Sequence, residues 1–505
     1  MADNEQNDME AAIQQSLQQL ENDLEQQKKE KEELRQAIAL SLGKPVESLT
    51  ARETLAATLG SSTKRPLDDS TSAATEFKKQ NTGKPSMPTY LDGVVKLTHV
   101  KGTTGADYIT IQQVIEAKYL KKALMTAFVV SMDFVDEQFP EHINVCIVMH
   151  GRQGSAFQVS PKRIVVHPPM SNPNFGVFHS KLMLLFHQSS LRVVIGSANF
   201  VDYDWCELEN VLFIQDFPLL QEGPLKSADQ LPKFGGDIHE QLGLMGVPTA
   251  VRKELLFYDF SKAKAHIVPS VSGTHEGDER YKVGHTRLCS VVEQLGLQQE
   301  QVANGPKVEL QTSSLGAMTV PYLQELYLSF CGINTFTPDG SNIQKGYKKN
   351  GGIPPVTIVY PSTFTIDNSN VGREGASTIC FNTANWKKPT FPHSIMRDAV
   401  SNRHGTLMHS KYIVAILDQP KNHIAGWVYV GSHNATQAAW GKATVSREKK
   451  CPKISMNNWE LGVILPISDK GSDIRHLCDG LPVPFVRPAE KYQSDQQPWT
   501  QNLWS

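Results

Sequence analysis

From about residue 90 onward, short apolar runs bounded by polar or turn-forming residues recur along the chain, at 143–149, 163–167, 182–186, 191–195, 412–417 and 427–430. Their length is that of buried strands. The stretch 323–330 has a helical pattern instead, and the mixture of the two kinds of run predicts an α/β body. The first 43 residues are patterned differently: over 8–22 and 32–43, Met9, Ile13 and Leu17, then Leu34, Ile38 and Leu42, recur at four-residue steps with acidic residues ahead of each stripe. That spacing predicts two amphipathic helices. Between tail and body, 44–87 is rich in Ser, Thr, Lys and Asp, poor in aromatics and broken by Lys44-Pro45, Arg65-Pro66 and Lys84-Pro85. It reads as a disordered linker.

Within the body one pattern occurs twice. His179-Ser180-Lys181 opens the run that leads to Gly196-Ser197-Ala198-Asn199, and His409-Ser410-Lys411 opens the run that leads to Gly431-Ser432-His433-Asn434. From His to Asn is 20 positions in one copy and 25 in the other, a difference assigned to the connecting turn. If the runs are strands, a His and a Lys two apart project from one face, and the Gly-Ser-x-Asn ends a second strand where glycine permits a tight turn. Two imidazoles, two ammonium groups and two amides suit phosphoryl transfer. Lysine supplies charge and asparagine neutral donors to a pentacoordinate phosphorus. One imidazole can attack, while the other protonates the leaving oxygen and later deprotonates a water. Because each copy must lie within its own half, the body divides near residue 260, into 88–260 and 261–505.

These residues resemble the phospholipase D superfamily, whose signature is a duplicated His-x-Lys with a downstream Asn. The usual signature also has an Asp five residues after each Lys. Here those positions hold Phe186 and Ile416, a departure shared by the tyrosyl-DNA phosphodiesterase branch. Arg192-Val193-Val194-Ile195, Ala438-Ala439-Trp440-Gly441 and Glu460-Leu461-Gly462-Val463 agree with that branch, and the resemblance runs from about Tyr90 to the C-terminus. It implies two similar α/β/α sandwich halves related by a pseudo-twofold axis, with the site in the seam. It also implies His179 as nucleophile on phosphorus and His409 as general acid, then base, with Lys181, Lys411, Asn199 and Asn434 on the phosphoryl oxygens. Glu460 matches an acidic residue that orients a catalytic imidazole. Asn210 falls where a branch member has Gln. Phe175 matches an aromatic that stacks on DNA, and Ser313 and Ser314 match DNA-phosphate contacts.

The implied activity is hydrolysis of the bond between a DNA 3′ phosphate and a tyrosine left by a trapped type I topoisomerase, on single- or double-stranded ends, through a covalent phosphohistidine. A lipid phosphodiesterase or a general 3′-end nuclease of the same scaffold is the alternative. No cofactor is implied, and a monomeric nuclear enzyme is. Lys64-Arg65-Pro66 and Lys78-Lys79 read first as linker charge and second as nuclear import signals.

The tail adds a further resemblance. Ala12 with Ser16 beside Ile13, and Ala37 with Ser41 beside Leu34 and Ile38, resemble tandem ubiquitin-interacting motifs, in which a small Ala lets a helix lie close to an apolar patch. The competing reading is a glutamine-rich, acidic amphipathic segment that forms a coiled coil or nothing at all. Charge divides along the same boundary: residues 1–87 hold 15 acidic and 11 basic residues, a balance of −4, so a chain total of −2 leaves the remaining 418 at +2. Any nucleic-acid surface must then be a local groove. The seven scattered cysteines lack a Cys-x-x-Cys pair, which indicates free thiols in a reducing compartment and no zinc site; Cys206, near the first motif, reads as a packing residue. The apolar runs fall short of the roughly 18 residues of a membrane helix, and Asp3, Glu5 and Asp8 are unlike a secretory signal.

Overall fold

The computed structural model describes residues 90–151, 154–445, 451–469 and 481–500. The two tail helices, with Ala12, Ile13, Ser16, Leu34, Ala37, Ile38 and Ser41, and the linker lie outside the described residues, as does Cys478.

The runs expected to be strands are strands, and nearly every position in them is buried. Leu182–His187 and Ser190–Gly196 have no exposed residue. Their alternation sorts side chains between two cores: Leu182, Leu184 and Phe186 face an inner cluster, whereas Met183 and Leu185 join an outer one. Burial on both faces is why they read as continuous apolar runs rather than as alternating ones.

The strands form two large sheets. The first runs from edge to edge through Tyr108–Ile109, Val94–Thr98, Val211–Pro218, Ser190–Gly196, Leu182–His187, Leu120–Ala127, Asn144–Met149, Arg163–Val166 and Ala156–Ser160. The second runs through His266–Ser270, Glu460–Ser468, Ile424–Gly431, Tyr412–Lys421, Lys307–Gln311, Val356–Tyr360 and Met396–Asp398. Beginning at Val94–Thr98, seven strands of the first sheet repeat the second in order and direction: four antiparallel pairings, then two parallel ones. All strands of the first sheet fall within 94–218 and all of the second within 266–468. The described residues nonetheless form one compact unit.

Three layers of core follow. Helices Ile111–Ile115 and Met132–Gln138 cover the outer face of the first sheet, and Gly284–Gln294 and Val320–Phe330 that of the second. Between the sheets, Val193, Ile195, Val211 and Phe213 meet Val428, Val430, Leu461 and Val463 in one cluster, joined by Phe234, Ile238 and Leu242 of helix Lys233–Leu244. The two halves thus share their inner layer. The C-terminal segment closes on the second half: Trp499 is fully buried, with its backbone N–H on the Pro361 carbonyl at 3.0 Å and its indole N–H on that of Ile379 at 3.1 Å.

The two motif hairpins differ in a way the spacing alone does not show. Both turn in two residues, at 188–189 and at Asn422-His423, and the extra length of the second copy is taken up by longer strands and a bulge between Ile416 and Lys421. Asn422 and His423 both have positive φ, 51° and 61°, which is the geometry of the tightest hairpin turns.

Candidate active site

Each His-Ser-Lys lies one step before its strand: the ladders begin at Leu182 and Tyr412. The reason is that the motif backbone pairs across the seam instead of within its own sheet. The His179 N–H donates to the Trp459 carbonyl and the His409 N–H to the Glu209 carbonyl, both at 2.9 Å. Trp459 and Glu209 directly precede Glu460 and Asn210, at the mouths of strands Glu460–Ser468 and Val211–Pro218. Each histidine is therefore placed by its own hairpin and oriented by the opposite half.

The orienting contacts are nearly symmetrical. His179 Nδ1 lies 2.7 Å from Glu460 Oε2, and His409 Nδ1 lies 3.1 Å from Asn210 Oδ1. The Ser432 hydroxyl donates to Glu460 Oε2 at 2.6 Å, and the Ser197 hydroxyl to Asn210 Oδ1 at 2.8 Å. The serine oxygens accept the N–H groups of Leu461 and Val211, both at 3.0 Å. Fixing Nδ1 in this way leaves Nε2 of each ring as the reactive nitrogen. Asn210 reaches the histidine although its side chain is one methylene shorter than the Gln of the branch member.

The lysines and asparagines complete the pair. Lys181 Nζ donates to the His179 carbonyl at 2.8 Å, and Lys411 Nζ donates likewise to that of His409. Asn199 Oδ1 accepts the Val129 N–H at 3.2 Å. Asn434 Oδ1 accepts the Ser314 N–H at 3.0 Å and the Thr312 and Ser313 hydroxyls at 3.1 and 3.3 Å. With both carbonyl ends occupied and neither NH2 bonded among the described residues, each asparagine presents its donor end, which is what an anionic oxygen needs.

Glycine opens this geometry for a reason other than the expected turn. Gly196 and Gly431 end their strands without positive φ, but a Cβ at Gly196 would lie 2.3 Å from the Val211 carbonyl, and one at Gly431 would lie 2.4 Å from Gly462 Cα. The requirement is close approach of the neighbouring strand.

Burial dominates the electrostatics. His179 is held well below the usual imidazole range by burial and then by Lys181, Lys411 and His409; it is neutral and its lone pair is available at neutral pH. His409 is pulled down to about 4 by burial and Lys411, against the opposing pull of Asp204. Burial also lowers Lys181 to about 7 and takes Lys411 well below its usual value. Burial raises Glu460, yet it accepts from His179, Ser432 and Asn458, the acceptor pattern of a carboxylate. Among the described residues no cluster of three or more His, Cys, Asp or Glu is arranged to hold a metal ion.

The remaining expected residues are placed less centrally. Phe175 is half-buried in the turn before His179, with its N–H on the Asn172 carbonyl at 3.3 Å. Ser313 is buried and Ser314 half-buried, and both bind Asn434. Cys206 is partly exposed and its thiol donates to Asp202 at 3.2 Å. Sequence reasoning passed over Asp204, which is fully buried beside His409, and Phe128, whose ring lies 5.8 Å from that of His179. In the sequence Asp204 stands among four acids over 202–209, with nothing to single it out.

The chain matches the model of the tyrosyl-DNA phosphodiesterase family over residues 94–493. It is 26% identical over 386 residues to tyrosyl-DNA phosphodiesterase 1 of Arabidopsis thaliana, covering 72% of this chain and 60% of that protein. Over 363 residues it is 26% identical to tyrosyl-DNA phosphodiesterase 1 of Drosophila melanogaster, with 68% and 59% covered. The matched region thus spans about three fifths of these relatives. The crystal structure of yeast tyrosyl-DNA phosphodiesterase has the same fold, with a TM-score of 0.59 at 19% identity, covering 81% of this chain and 99% of that one. With most of the chain matched, including both His-Ser-Lys segments and their orienting partners, this protein belongs to the tyrosyl-DNA phosphodiesterase family.

Proposed function

We propose that this chain hydrolyses the phosphodiester between a DNA 3′ end and a tyrosine, the remnant of a trapped type I topoisomerase, through a covalent phosphohistidine. The observation that carries this reading is the pair of imidazoles, each anchored at Nδ1 by the opposite half and flanked by its own lysine and asparagine. Family membership and the names of the relatives support the substrate.

In the first step His409 is the imidazolium, its second proton taken up as the phosphate anion binds beside it; His179 Nε2 attacks phosphorus, the bond to the tyrosine oxygen breaks, and the proton on His409 Nε2 goes to that oxygen. In the second, water attacks phosphorus and gives a proton to His409, and the P–N bond breaks with its electrons returning to His179. Lys181, Lys411 and the two amides offset the charge on the equatorial oxygens. A phenol, with a pKa of about 10, departs far more readily than an alkoxide, so a tyrosyl ester is favoured over plain DNA. Phe186, buried in the core, and Ile416, partly buried against it, stand where other superfamily members have Asp and speak against the lipid alternative. Around the site, Phe175, Ser313 and Ser314 would contact the DNA. The lysines supply the charge that a metal ion would otherwise bring, so the reaction would run without one. We further propose a monomeric nuclear enzyme whose tail, through Ala12, Ser16, Ala37 and Ser41, engages ubiquitin or ubiquitinated proteins.

The test is release of tyrosine from a 3′-phosphotyrosyl oligonucleotide, run beside phosphatidylcholine and in EDTA. Activity on the oligonucleotide alone, surviving EDTA, is expected. His179→Ala should abolish turnover without adduct, and His409→Ala should accumulate a DNA-linked enzyme; adduct in the first variant instead would reverse the roles. Deleting residues 1–43 should spare the oligonucleotide reaction and remove binding to ubiquitin chains.

A further inference from the structure

We infer that Asp204 is the positioning carboxylate of His409, supplying the charge that Asn210, the pseudo-twofold counterpart of Glu460, does not carry. The inference rests on the phosphodiesterase reading above. Glu460 and Asn210 occupy equivalent places. Each lies two residues before the partner of a motif glycine, Gly462 opposite Gly431 and Leu212 opposite Gly196. Each receives a serine hydroxyl and holds Nδ1 of the opposite half's histidine. One is a carboxylate and the other an amide.

The missing charge reappears nearby. Five residues after Asn199 comes Asp204-Trp205; five residues after Asn434 comes Ala439-Trp440. Both tryptophans are buried, so the two segments correspond, and the acid is present only in the half whose orienting residue is neutral. Each half thus sends one carboxylate to the other half's histidine, from different positions.

The geometry fits that role. Asp204 is wholly buried, its Oδ2 lies 3.4 Å from His409 Nδ1, and the same oxygen accepts the Asn199 N–H at 2.6 Å. Asn210 Nδ2 donates to the Asp204 carbonyl at 2.8 Å, tying the two together. Asp204 Oδ1 has no hydrogen-bond partner among the described residues. At 3.1 Å, Asn210 takes the Nδ1–H and fixes the tautomer, while Asp204 supplies charge from just behind. His409 needs it: Lys411 of its own segment and Lys181 and His179 of the other motif face the same space, Tyr203 adjoins Asp204, and Cys380 is near Lys411. Without a negative partner the imidazolium that protonates the phenolate would be disfavoured by both lysines. A purely structural acceptor for the Asn199 N–H would be served equally by an amide, which gives the test its edge.

In the full chain, Asp204→Asn should lower turnover of the 3′-phosphotyrosyl oligonucleotide by about 10²-fold. The sign of the pH effect is fixed: removing the negative charge lowers the pKa of His409, so the high-pH limb of the rate profile moves to lower pH. A 3′-nitrophenyl phosphodiester, whose leaving group needs no proton, should keep its first-turnover burst, after which DNA-linked enzyme accumulates because His409 is also the weaker base for hydrolysis. Moving the carboxylate to the symmetrical place, Asp204→Asn with Asn210→Asp, should restore the limb. An unchanged limb, with equal losses on both substrates that track the thermal melt, would make Asp204 structural and overturn the inference. If the amide variant does not fold at assay temperature, Asp204→Glu takes its place: the displaced carboxylate should shift the limb and spare the burst, and an unshifted limb overturns the inference. Absence of tyrosine release from the unaltered chain would instead sink the parent reading.

Discussion

Lys181 has Glu460 and Asp204 near it, both favouring the ammonium, yet burial outweighs them and brings it to about 7. In the free site at pH 8 a large part of Lys181 is therefore unprotonated, and burial pulls Lys411 in the same direction. An anion bound between them raises both pKa values, so it should bring protons with it. Titration calorimetry with vanadate at pH 8, repeated in buffers of contrasting ionisation enthalpy, should show net proton uptake. No dependence on buffer would mean the lysines were charged beforehand. The residues in this balance differ in how visible they are in the sequence. His179, Lys181, Asn199 and their second copies are marked by duplication. Glu460 and Asn210 emerge only through family resemblance, because nothing in their spacing points across the seam. Asp204 is one of four acids among residues 202–209, and only burial separates it from Asp202, which is exposed.

Among elements, the two motif hairpins carry the site, and their precision depends on how closely the neighbouring strand approaches. At Gly431 a Cβ would meet Tyr429 Oη at 2.3 Å, Gly462 Cα at 2.4 Å and the Leu461 carbonyl at 2.6 Å. Two of these contacts belong to the strand that begins with Glu460. Gly431→Ala should therefore push that strand outward, costing about 1–3 kcal/mol of stability and drawing Glu460 away from His179. Loss of kcat well beyond the fraction unfolded, in circular dichroism and turnover measured at one temperature, is the expected result; full kcat in the folded fraction would show that the strand yields without moving Glu460. Strands of this kind were legible because burial on both faces leaves an unbroken apolar run. Tyr108–Ile109, at two residues, and Ala156–Ser160, exposed along most of its length, carry no such run and owe their place to the pairing neighbour. The unequal His-to-Asn spacing was legible as a number, but its location in strand length and a bulge was not, since strand and turn can absorb residues alike.

For the whole molecule, the site exists only while the halves hold one alignment, and a buried ion pair beside it fixes that alignment. Glu209, from the first half, is ion-paired with Arg403 of the second, and Arg403 Nη1 also donates to the Thr98 carbonyl at 2.7 Å. Glu209 carries the carbonyl that receives the His409 N–H, and its own N–H returns to the Leu407 carbonyl at 2.8 Å. Removing the guanidinium strands a carboxylate with, among the described residues, only the Ser401 hydroxyl as donor, at 3.4 Å. Breaking such a pair costs about 3–5 kcal/mol, so Arg403→Ala should unfold at markedly lower denaturant. The pH dependence has a definite sign. Burial holds Glu209 at about 7 even with Arg403 present, above its unfolded value, so the folded state binds the extra proton and stability falls as pH rises through that interval. Without Arg403 the folded pKa climbs further, and the deficit of the variant should be larger at pH 8 than at pH 5, where Glu209 is protonated and needs no partner. Denaturant melts of both proteins at the two pH values measure this directly. An equal deficit at both would mean that Arg403 stabilises through its packing and the Thr98 contact, and that the seam is held by shape rather than by charge.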